Sequence, residues 1–137
     1  MNISEIQILF PRPGNWQEFT LTAIYQDADG YTRIDRYTQD EIPANQTPAM
    51  AAVVAALVEL GEDWQAVHVW ARLGKNAITL AEDGTYTMID GVCLTVEAVH
   101  AETGGRRIFT ASDYPAFIIT DPAAVEFFRF FTTASNR

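Results

Sequence analysis

The second half of this chain echoes the first, and no other feature constrains the fold as tightly. Tyr37-Thr-Gln-Asp-Glu-Ile-Pro-Ala44 reads like Phe109-Thr-Ala-Ser-Asp-Tyr-Pro-Ala116: aromatic, Thr, two variable positions, acid, bulky residue, Pro, Ala. Upstream, Leu21-Thr22-Ala23 matches Leu94-Thr95-Val96; downstream, Thr47-Pro48-Ala49 matches Asp121-Pro122-Ala123. The three matches run in the same order at offsets of 73, 72 and 74 residues. Collinear matches of this kind imply one architectural unit used twice, residues 1–62 and 63–137, inside a single domain spanning 1–137. The competing explanation is convergence, since any hairpin followed by a Pro-started helix draws on the same turn chemistry.

The hydrophobic pattern fills in each unit. Ile6, Ile8 and Phe10 alternate with Gln7 and Leu9, and Phe19, Leu21, Ala23 and Tyr25 alternate with Glu18, Thr20 and Thr22, so two strands are expected. Asp27-Ala-Asp-Gly30 is a hairpin turn, and Tyr31 to Thr38 returns as a third strand. The Pro43 and Pro48 region is read as a loop running into a helix, with Thr47 as N-cap and Pro48 at its first position. Met50, Val53, Val54 and Leu57 form its stripe, and Gly61 closes it. Nothing from Pro48 to Val58 is polar, which predicts burial on more than one side.

In the second unit, Val67, Val69, Ala71 and Leu73 form one face of a strand, with His68, Trp70 and Arg72 on the other. Leu73–Asn76 is expected to turn, 77–81 and 86–89 to be short strands around a turn at Glu82-Asp-Gly84, and Asp90-Gly91 to turn again. A long strand follows from Val92 to His100, then a hairpin turn at 102–105, a strand over 106–111 and an extended stretch over 117–120. Asp121 caps a last helix with Ala124, Phe127, Phe128 and Phe131 on one face. The expected fold class is therefore α+β: strand-rich, mainly antiparallel, with two helices, one closing each of two similar β-hairpin-plus-helix units.

Composition excludes several functions. Acids outnumber bases 18 to 9, and Lys75 is the only lysine, so a phosphate-neutralising surface is not expected; neither nucleic acid nor an anionic membrane is an expected partner. The longest nonpolar run, Pro48 to Val58, is 11 residues, short of the roughly 20 that span a bilayer. The N-terminus lacks a basic region followed by an apolar one, so a cytoplasmic protein is expected. Cys93 stands alone, ruling out an intrachain disulfide or a multi-cysteine metal site.

Catalytic constellations are missing too. There is no Gly-x-Ser-x-Gly elbow, phosphate-binding glycine motif or zinc-ligand spacing. Asp27-Ala-Asp-Gly30 starts like a calcium loop, but Thr38 stands where the twelfth-position glutamate belongs. No catalytic residue, metal or cofactor is expected. The residues that could line a ligand site are His68, Arg72, Cys93 and His100; within one strand, parity separates Cys93 from His100. The aromatics exceed what one helix face can bury, which makes Trp70, Phe127, Phe130 and Phe131 candidates for an interface.

The favoured expectation is a non-catalytic protein–protein interaction or self-assembly module whose partner is another protein or a second copy. One alternative is an acidic nucleic-acid mimic of the phage-inhibitor type, although the acids cluster in turns rather than at alternate positions along a strand. The other is a small-molecule binder or hydrolase with a pocket between the two units.

Overall fold

A computed structural model of the chain describes residues 4–42 and 47–132. Its elements are β1 (Ser4–Leu9), β2 (Thr20–Gln26), β3 (Thr32–Thr38), α1 (Thr47–Leu57), β4 (Trp64–Leu80), β5 (Tyr86–His100), β6 (Arg106–Phe109), β7 (Ile118–Ile119) and α2 (Pro122–Thr132). The fold is α+β, with an antiparallel sheet ordered β3-β2-β1-β4-β5-β6 and the short β7 also paired to β5. The order runs outward the same way on both sides of the β1–β4 pair: first, second, then third strand of each half.

Each strand's alternation sorts its side chains between two faces. One face carries Ile6, Ile8, Leu21, Ala23, Val69, Ala71, Val92, Leu94, Val96 and Ala98, all essentially inaccessible. α2 packs across β1, β2, β4 and β5 on this side, while α1 lies against α2, β7 and the turn at Pro115–Phe117. Phe127, Phe128 and Phe117 are the largest side chains fully buried between these layers. Among the described residues, no helix packs on the opposite face.

Local chemistry explains the element ends. Asp121 Oδ1 accepts the Ala123 N–H at 3.0 Å and its carbonyl takes the Val125 N–H, as an N-cap does before Pro122. The expected cap at Thr47 adjoins residues 43–46, and so the Pro43 loop and the contacts of that cap fall outside the described residues. The two Thr-x-x-acid motifs make the same bond: the Thr38 N–H donates to Glu41 at 3.1 Å, and the Thr110 N–H to Asp113 at 2.9 Å. Both therefore act as strand-end turns. The registers before them differ, since Tyr37 lies opposite Leu21 whereas Phe109 lies opposite Val96. A two-residue offset keeps the aromatic on the same face because the side-chain period is two.

Two expectations need correcting. α1, expected to be buried on more than one side, leaves one side open: Ala51 and Ala55, with Val58 just past its end, face solvent, while Ala49, Met50, Val53, Ala56 and Leu57 are buried and Val54 is half-buried. Alanine makes an exposed helix face at little cost, because it has the best helix propensity and little apolar surface to hide. The expected turns at Leu73–Asn76 and Asp90–Gly91 do not form either. β4 and β5 run through them as strands, absorbing the mismatch in a bulge between Gly74 and Ala77. The Gly74–Gly91 cross-strand pair sits at that point, and a Cβ on Gly91 would come within 3.3 Å of the Ile119 carbonyl. Glycine there admits β7 against β5.

The core predicts its own sensitivity. Phe127→Ala should cost about 3–5 kcal/mol of unfolding free energy in a urea titration. Phe130→Ala, at a side chain 39% exposed on the same helix, should cost markedly less.

Candidate functional site

Two features stand outside the packed core: the helix-free face of the sheet and the hairpin that β4 and β5 extend beyond it.

On the helix-free face, cross-strand pairing lines up Ile24, Glu5, Arg72 and Cys93 in one row, Thr22, Gln7, Trp70 and Thr95 in the next, and Thr20, Leu9, His68, Glu97 and Ile108 in a third. Glu5, only 8% exposed, organises the centre. Its Oε1 accepts from Arg72 Nε at 2.9 Å and its Oε2 from Gln7 Nε2 at 3.0 Å. Because the Gln7 amide donates to Glu5, its carbonyl oxygen faces His68 Nε2 at 3.0 Å, which assigns the His68 proton to Nε2. The His68 ring lies 3.8 Å from Trp70 and nearly parallel to it, at 18°. Glu5, Trp70, Arg72, Cys93 and Thr95 line a shallow concavity of about 410 Å³.

The electrostatics favour a neutral imidazole. Partial burial pushes the His68 pKa below its ordinary value, against the opposing pull of Glu97 and Glu5.

The sequence-predicted residues separate. His68, Arg72 and Cys93 share the helix-free face, and Arg72 and Cys93 line the concavity with Trp70. His100 does not join them. It packs edge-on against Trp64 at 5.1 Å, and its Nδ1 accepts the Glu102 and Thr103 N–H groups, which fixes the hairpin turn. Cys93 lies opposite Arg72 and His68 opposite Glu97, two rows apart, so the geometry pairs no cysteine with a histidine. Among the described residues no three His, Cys, Asp or Glu side chains come together as a metal-ligand set. Of the interface candidates, Trp70 is half-buried on the helix-free face and Phe130 is partly exposed near the end of α2. Phe127 is a core residue with no exposed surface, so it cannot anchor a partner; the Phe131 side chain lies outside the described residues.

The second feature was hidden by the turns expected at 73–76 and 90–91. Beyond the Gly74–Gly91 pair, β4 and β5 continue as a two-stranded arm, pairing Ala77 with Ile89, Ile78 with Met88 and Leu80 with Tyr86. A three-residue turn closes it: Ala81 N–H to the Thr85 carbonyl, Gly84 at φ 85°, and Asp83 Oδ1 accepting from the Thr85 N–H and hydroxyl at 3.0 and 2.7 Å. Period-two alternation puts Ile78, Leu80, Tyr86 and Met88 on one side, and they are 61%, 65%, 73% and 49% exposed. The strand-to-strand alternation of those four apolar residues around Glu82-Asp-Gly84 was the available signal.

The sheet's outer strands contrast with the arm. β3 carries Arg33, Asp35 and Arg36, and β6 is four residues long with Arg106 and Arg107. Charged side chains on an edge strand discourage pairing with other chains, and the apolar face of the arm carries no charge.

Several carboxylates elsewhere are matched to bases: Asp27 with Arg33, Glu97 with Arg106, Asp113 with Arg107, and Asp90 with both Lys75 and Arg129.

A histidine kept neutral by burial has a definite pH signature. Its folded pKa is depressed, so its contribution is intact above the unfolded value of about 6.5 and is lost as pH falls below it. A histidine-ring NMR titration should place the His68 midpoint under about 6.5, and His68→Gln should flatten the loss of stability that sets in as pH falls below about 6.5. No family model, no curated protein and no solved structure matches this chain.

Proposed function

We propose that this chain is a non-catalytic protein–protein association module, built from two like units, that engages its partner through the β4–β5 arm. The exposed apolar face of the arm carries this reading. Four large side chains grouped on one projecting ribbon present apolar surface that a lone soluble particle gains nothing by exposing. Aromatic and methionine side chains are common anchors of association, and the arm offers Tyr86 and Met88. The charge on the other sheet edges supports the same choice, since it leaves the arm as the preferred place for contact.

The small-molecule alternative draws on one observation, the Glu5–Arg72–Trp70 concavity, whose volume falls within the range of ligand sites. Glu5 is already satisfied there by Arg72 and Gln7, which fits a structural role for its charge. Arg72→Ala would abolish binding of any ligand held at that site while leaving arm-mediated association intact. The acidic-mimic alternative gains nothing from carboxylates that sit largely in turns, several of them paired with arginines.

The test is a double substitution on the arm, Ile78→Lys with Tyr86→Lys. Light scattering and cross-linking should show loss of the associated species, with the melting temperature of the remaining particle little changed because both side chains are exposed. Association that persists unaltered in this variant would refute the proposal.

A further inference from the structure

We infer that the arm's apolar face is covered by the same face of a second copy, the two arms lying antiparallel about a twofold axis near the Ile78–Met88 pair. This rests on the association reading above and goes on to name the partner and the geometry.

Charge is the first argument. The chain carries −9, so most approaches of one copy to another bring like charges together. From Asn76 to Ala81 and from Thr85 to Ile89 the arm has no charged residue at all. A second copy can meet this face without that penalty.

The ends of the arm then select a direction. The tip carries Glu82 and Asp83. The root carries Lys75, 65% exposed, and Arg129, both beside Asp90. Parallel arms would stack tip acids on tip acids. Antiparallel arms place Glu82 of each copy near Lys75 of the other, an opposite-charge contact at both ends of a neutral apolar centre. In such an isologous pair, residues midway between positions 75 and 82 face their own counterparts, which brings Ile78 against Ile78 and Met88 against Met88.

Area sets the strength. The four apolar side chains expose on the order of 500 Å² per arm, so two facing arms remove roughly 1,000 Å² from water, about the lower limit for a specific interface. The dimer should therefore be reversible and concentration-dependent. Face-to-face packing is required, because pairing the arms edge to edge would leave all eight apolar side chains in water.

Sedimentation equilibrium of the full chain, from micromolar to millimolar, is the primary measurement, and a monomer–dimer equilibrium is expected. Lys75→Glu and Glu82→Lys should each weaken the dimer roughly three- to tenfold at low salt, and the double exchange should restore it. Glu82 is the tip position to change because Asp83 ties the turn through Thr85. In a Cys93→Ser background, Met88→Cys should give a covalent dimer with a short thiol cross-linker, whereas Thr32→Cys on the β3 edge should not. A wild-type chain monomeric to millimolar concentration would overturn the second-copy inference, while the association proposal would stand if a heterologous protein bound wild type and not the Ile78→Lys/Tyr86→Lys variant. A dimer with no Met88→Cys cross-link and no rescue by the charge exchange would overturn the antiparallel arrangement.

Discussion

The pairing of β1 with β4 is the contact on which the rest of the molecule depends. It joins strands some 60 residues apart in sequence and turns a three-stranded and a four-stranded array into one sheet. Both faces of the seam depend on its register. On the helix side, Ile6 sits opposite Ala71 and Ile8 opposite Val69, all buried beneath α2. On the other side, Glu5 meets Arg72 and Gln7 reaches Glu5 and His68. A slip of one residue would drive Glu5 and Gln7 into the apolar layer and expose the isoleucines, so apolar burial and polar satisfaction enforce the same alignment.

That seam also limits what the helix-free face can do. Its polar groups form a chain in which each partner fixes the next: Arg72 orients Glu5, Glu5 orients the Gln7 amide, and Gln7 sets the His68 tautomer. The stacked Trp70 covers one side of the ring. Groups committed in this way hold a register and are poorly placed to shuttle protons. This accords with a face that stabilises the sheet, while the proposed partner contact lies on a different part of the molecule.

The two hairpins closed by Asp–Gly turns differ most in how far they reach. The β2–β3 hairpin closes at Asp27–Gly30 close to the sheet, whereas β4 and β5 run past their neighbours before turning at Ala81–Gly84. Both turns place a glycine at φ 85° and are built from similar residues. The extra length is spent on surface: among the described side chains it adds no buried one, and it puts four apolar side chains into solvent. That surface is where the proposed association module would meet its partner.

The sequence by itself determined what is local. The alternation of Ile6 and Ile8, the Asp–Gly turns, the Asp121 cap and the stripe of Ala124, Phe127 and Phe128 were all legible, because strand period, turn chemistry and capping act within a few residues. The same local signals misled at Gly74 and Asp90-Gly91, where residues that favour turns were held extended by pairing with each other across a bulge. Only the tertiary structure decided which strands adjoin, which face stays bare, and that 74–91 projects as an arm. His68 and Gln7 meet across 61 residues, and Arg72 and Glu5 across 67. No local propensity encodes such pairings; they follow from the burial of one apolar sheet face against the helices, a property of the folded chain as a whole.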